Sequence, residues 1–164
     1  MPIEIMRLEN GEGVLLKAYA PISGKDKITV NEDLLRSPND VAKLRYIVID
    51  EACAIDEACA GFQLSTSEAR IVAAQDKQIA KLAPRAVVVA VITPTDVDFG
   101  MARMWQVFCQ ETGWQIGVFR SWESAADWLT SKIGENSYSS LVAKRDDFRC
   151  STSASVLKTR LSAG

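Results

Sequence analysis

The chain contains no histidine. That absence excludes imidazole acid/base catalysis, His-assisted serine or cysteine nucleophiles, and every zinc site that uses a histidine ligand. Cysteine is sparse as well. Cys53, Cys59, Cys109 and Cys150 include no CxxC pair, and their spacings do not suit a four-thiolate metal site. They read as reduced thiols that pack as small hydrophobes, with Cys53 and Cys59 as an alternative redox pair across their loop. There is no basic stripe of the kind that neutralises nucleic-acid phosphates: the 19 Lys and Arg and 21 Asp and Glu are interspersed, giving a formal charge of −2. No apolar run approaches the roughly 18 residues of a bilayer span. Met1-Pro2-Ile3-Glu4 lacks the basic start of a signal peptide. Membrane insertion is not expected, and the expected setting is cytoplasmic.

What is present is a globular core. The 164 residues are 48% hydrophobic, enough for one ordinary domain. Ile3 to Leu8 and Val14 to Ala20 are β-prone runs around Asn10-Gly11-Glu12-Gly13, whose glycines supply the positive φ of a hairpin. Pro21 to Lys27 reads as a turn and Lys27 to Val30 as a short extended piece. A helical segment spans Glu32 to Leu44 and is broken at Pro38, which suits a first helical turn. Tyr46 to Ile49, ending at Asp50, and Ala86 to Ile92 are continuous apolar runs, as expected of central strands covered by helices. Gln115 to Phe119 is a third strand.

Three helices alternate with these strands. Ser65-Thr66-Ser67-Glu68 forms a capping box for a helix running to about Leu82. The next begins at Thr95 or Asp96, carries Met101, Met104, Trp105 and Phe108 at helical spacing, and stops at Gly113. The last begins at Ser121 with Trp122, Ala125, Ala126 and Leu129 on one side. Strand–helix repetition predicts an α/β fold. Residues 134–164 are Ser/Thr-rich and read as a flexible or partly helical tail to a 1–133 domain, with a short helix near Ser153 to Leu161.

The run Phe99-Gly100-Met101-Ala102-Arg103-Met104, then Val118-Phe119-Arg120, then Glu123 to Leu129, together with Leu64-Ser65-Thr66-Ser67-Glu68, resembles the SpoIIAA-like proteins of the STAS type. The resemblance covers Ile3 to Leu129. It implies a mixed sheet of four or five strands with helices mainly on one face, an N-terminal β-hairpin, and then strand–helix repeats. It also implies a non-enzymatic regulatory or protein-interaction module that needs no cofactor, binds an unidentified protein partner, and is a candidate homodimer. The phosphorylatable D-S-S-G turn of anti-sigma-factor antagonists is absent: the region after Asp50 reads Glu51-Ala52-Cys53-Ala54-Ile55-Asp56-Glu57.

The nearest hydroxyls, Ser65, Thr66 and Ser67, are candidates for a phospho-switch at a helix N-terminus, and capping explains them equally well. Asp50, Glu51, Asp56 and Glu57 follow a central strand, where α/β folds place ligands; with no partner base they read as solvated loop charges. Thr93 to Asp98 could seat a small anion, although its own acids already complement the helix dipole. Arg103 and Arg120 read as ion-pair partners of loop acids or as part of an interaction surface with Met101, Met104 and Trp128. Trp128 lies off its helix's apolar stripe and is expected to be exposed. The alternative function is small-molecule or lipid binding in an apolar pocket of about 300 Å3 beside the 96–112 helix.

Overall fold

The computed structural model describes residues 3–19, 22–51, 64–83 and 85–147. The strands β1 (Ile3–Leu8), β2 (Gly13–Ala18), β3 (Tyr46–Asp50), β4 (Val88–Ile92) and β5 (Gln115–Phe119) form one sheet in that spatial order. β1 and β2 are an antiparallel hairpin, and every later pairing is parallel. The helices are α1 (Gly24–Leu35), α2 (Pro38–Val41), α3 (Thr66–Leu82), α4 (Asp96–Phe108), α5 (Trp122–Ile133) and α6 (135–147). This is an α/β fold with a five-stranded mixed sheet and six helices among the described residues. None of those helices is long and apolar enough to cross a membrane.

Strands added one after another in the same direction, through crossovers of the same hand, put the connecting helices on one face. α1, α2, α3 and α4 accordingly share a core with Val14, Leu16, Ile47, Val89 and Val91. The expectation of helices mainly on that face captures only half of the packing. Leu15, Tyr46, Val48 and Ala90, one residue out of phase, form a second apolar face. α5 and α6 cover it with Trp122, Ala125, Leu129 and Leu141. Strands buried on both sides are what continuous apolar runs require.

Local chemistry departs from expectation at three places. Residues 27–30 are helical rather than extended, because Ser23 and Asp26 make a capping box that starts α1 at Gly24. In the hairpin turn the left-handed angles belong to Glu9, Asn10 and Gly11. Gly13 serves a different need: a Cβ there would lie 2.2 Å from the Tyr46 ring. Pro38 opens α2 as its first residue, as its sequence position suggests. The segment after Gly134, read as a tail, contributes α6, whose Ser137 hydroxyl donates to Glu9 Oε1 at 3.0 Å and whose Leu141 is fully buried. The short helix expected near Ser153 to Leu161 lies outside the described residues.

If α6 belongs to the domain, Leu141→Ala costs about 2–5 kcal/mol, the range for emptying a fully buried leucine site. Urea unfolding measures it; a loss below about 0.5 kcal/mol, typical of a surface site, would place α6 outside the cooperative unit.

Candidate functional site

Parallel strands finish at the same edge of a sheet, and that edge is where α/β folds bind ligands. Here the edge gathers Lys17 from β2, Asp50 at the end of β3 and Glu51 just after it, and Thr93 after β4. Because side chains alternate, the adjacent Asp50 and Glu51 point to opposite faces. Asp50, 0% exposed, receives Lys17 Nζ at 2.9 Å and Trp122 Nε1 at 3.0 Å on the α5 side. Glu51 receives Lys27 Nζ of α1 at 2.6 Å on the other. These two acids are therefore buried ion-pair partners and not solvated loop charges. Their cations come from 33 and 24 residues away in sequence. Asp56, Glu57, Cys53 and Cys59 lie outside the described residues.

Deeper on the α1–α3–α4 side, Asp76 of α3 is buried and accepts hydrogen bonds from Trp105 Nε1 at 2.7 Å and Asn31 Nδ2 at 3.0 Å, with Cys109 Sγ at 3.6 Å. Burial raises its pKa to about 6, against the lowering effect of those donors and of Lys27. Cys109 is a free thiol pushed upward by burial and then by Asp76, which keeps it unreactive. Sequence reasoning passed over Asp76 because its position on the apolar stripe of α3 interrupts an otherwise hydrophobic pattern, and that interruption was the available signal.

Two small cavities adjoin these groups. One of about 40 Å3 is lined by Leu16, Lys27, Asn31, Val72, Asp76 and Trp105. Another of about 10 Å3 touches Lys27, Glu51, Met101 and Trp105. Both are far below the roughly 300 Å3 of an organic-ligand pocket.

The helix N-termini at this edge are capped from within the chain, those of α1 and α3 by carboxylates and those of α4 and α5 by the hydroxyls of Thr95, Ser121 and Ser124. Ser65 Oγ accepts from Glu68 N–H at 3.2 Å, and Glu68 Oε2 accepts from Ser65 N–H at 2.9 Å. Ser65, Thr66 and Ser67 are exposed, but a phosphate on Ser65 would have to displace Glu68. Ser23 with Asp26 repeats the arrangement, and Thr95 Oγ1 accepts from Asp98 N–H at 3.2 Å. Among the described residues, no group of three or more Cys, Asp or Glu could hold a metal ion.

The five residues read as an interaction surface do not share one. Met101 and Met104 lie half-buried on α4, and the exposed Arg103 donates to Gln106 Oε1 at 2.8 Å. Arg120, at the end of β5, pairs with Asp96 at 2.6 Å and stacks over the Phe99 ring at 4.2 Å. Trp128 is on the opposite face. It is half-buried rather than exposed, packed on Phe119 with ring centroids 5.3 Å apart, in space left open by Gly117.

What sequence reasoning missed lies beside the methionines. Val97 and Val107 are 66% and 57% exposed and extend the half-buried Met101 and Met104 into an outward apolar strip along α4. Arg70 of α3 borders it, over the Phe108 ring at 5.3 Å, whereas Lys77 is paired with Glu111 at 2.8 Å. Compared with family models, with curated proteins and with solved structures, the chain matches none.

Two outcomes are expected. Lys17→Met strands Asp50 in a buried site and costs about 3–5 kcal/mol in urea unfolding; a loss under 1 kcal/mol would show that the pair is solvated. Asp76 gives a pH signature. Its folded pKa of about 6 exceeds the ordinary 3.8, so the native state holds the proton more tightly. Its contribution is fullest below the unfolded value and is lost as pH rises through about 6, on the order of 3 kcal/mol in all. Wild type should therefore lose stability relative to Asp76→Asn between pH 4 and pH 7, and a gap that stays flat with pH would contradict the assignment.

Proposed function

We propose that the chain is a non-enzymatic regulatory or protein-interaction module, of the kind its SpoIIAA-like resemblance implies, which docks an unidentified protein partner on the outer face of α4. The observation that carries this reading is the apolar strip on α4 in which Val97 and Val107 are exposed and Met101 and Met104 half-buried. Side chains of this kind supply contact area at modest entropy cost, and methionine adapts to irregular partners. The flanking Arg70 and Arg103 add a basic border that favours a partner with acidic residues around an apolar anchor. At the strand edge, by contrast, the carboxylates of Asp50 and Glu51 are tied to lysines and the helix N-termini are capped from within the chain. A cytoplasmic setting belongs to the same proposal and suits the free thiol of Cys109. The small-molecule alternative would need the cavities beside α4 to open several-fold.

Val97→Glu with Val107→Glu places two charges on the strip at exposed positions, so stability should change by no more than about 0.5 kcal/mol per site. Native mass spectrometry of protein purified from its own cells should show a second protein bound to wild type and absent from the double variant. Equal capture by both would reject the α4 surface. A turnover activity abolished by Asp50→Asn in a still-folded chain would reject the non-enzymatic reading.

A further inference from the structure

Among the described residues the sheet ends in β1 on one side and β5 on the other, and the two edges are treated differently. β1 carries the exposed charges Glu4 and Arg7, a common guard against strand addition. β5, Gln115-Ile116-Gly117-Val118-Phe119, carries none, and its last four residues are half-exposed. Its ladder to β4 fixes which backbone groups remain outward. Gln115 N–H bonds Val87 O at 3.0 Å, and Phe119 O accepts from Thr93 N–H at 2.8 Å. Residues 115, 117 and 119 therefore face β4, and the N–H and C=O of Ile116 and Val118 point away from it.

We propose that β5 is a self-association edge, at which two copies of this chain pair antiparallel about Gly117 into one continuous sheet. In that register Ile116 faces Val118 of the second copy, and Val118 faces its Ile116. Both are outward-facing residues, so all eight backbone groups pair in four hydrogen bonds. Gly117 meets Gly117 at the close-approach position. The sole charge within residues 114–120, Arg120, falls opposite Trp114 of the second copy, so no like charges meet. Paired residues share a face, so the α4 side of one copy continues the α4 side of the other, and the contact is isologous and closed.

One group at this edge is already engaged. Gln106 of α4 donates its Nε2 to Ile116 O at 2.9 Å, and Arg103 holds the Gln106 oxygen at 2.8 Å. This side-chain cap competes with pairing and is displaced by Val118 N–H of the second copy. The inference uses the β5 edge, which shares only Arg103 with the border of the α4 strip, and does not depend on that strip being a docking site.

Sedimentation of the full chain over a concentration series tests the proposal, read with hydrogen exchange at single amides. Wild type should move from 18.0 kDa to twice that mass, with the Ile116 and Val118 amides becoming protected as the dimer forms. Gln106→Ala removes the cap from both copies and should shift dimerisation to roughly tenfold lower concentration. Val118→Pro removes an outward N–H and should abolish the dimer. Should that variant fail to fold, the wild-type exchange pattern decides. A chain that stays monomeric to about millimolar concentration, or a dimer in which the Ile116 and Val118 amides exchange freely, overturns the proposal.

Discussion

The Lys17–Asp50–Trp122 cluster is the constraint on which the two-faced fold depends. α1, α3 and α4 each connect two parallel strands, so the sheet itself fixes where they lie. Among the described residues, α5 has no following strand to return to. Its entry is set instead by Trp122, which donates to Asp50 at 3.0 Å and receives the guanidinium of Arg145 of α6 over its ring at 4.7 Å. Asp50 is thus the point where two central strands and both helices of the second face are tied together. A buried carboxylate needs this many partners to remain charged away from water. Lys17 and Trp122 supply them from opposite ends of the chain.

The same economy explains why the strand edge does not resemble a binding site. Helix N-termini at the ends of parallel strands attract anions because their first N–H groups lack intrahelical partners. In α1 and α3 that demand is met by Asp26 and Glu68 through capping boxes, and in α4 by Thr95 with Asp96 and Asp98 nearby. An anion arriving there would meet carboxylates first. Lys27, the cation best placed to receive one, is held by Glu51 at 2.6 Å. Surface with unspent binding capacity is found elsewhere, along α4 and at β5.

How far the sequence could be read follows the range of the interactions involved. Period and capping are local, so the strands at Tyr46 and Val88, the break at Pro38 and the Ser65–Glu68 box are legible residue by residue. The α1 cap was obscured because Asp26 replaces the usual Glu or Gln, and Ile28-Thr29-Val30 is a β-branched run that argues for extended chain. Asp50 and Glu51 looked like loop acids because their lysines are distant in sequence. Trp128 looked exposed because helical phase alone cannot show that Gly117 leaves room for Phe119 to fold against it. α6 was hidden by its composition: its burial rests on few residues, Leu141 and Ser137 foremost.

α4 joins the two proposed surfaces. Arg103 borders the apolar strip, yet its guanidinium also fixes Gln106, whose amide occupies the Ile116 carbonyl on the side of β5 that faces away from β4. A partner that docks on α4 and draws Arg103 toward its own carboxylates removes the group that orients Gln106. The cap on β5 is then weakened, and strand pairing becomes more favourable. By linkage, pairing at β5 releases Gln106 and frees Arg103 for the partner by the same free energy. If both surfaces are used as proposed, partner docking and self-association are positively coupled through these two side chains. The coupling is bounded by one exposed hydrogen bond per copy, which limits it to about 1 kcal/mol each.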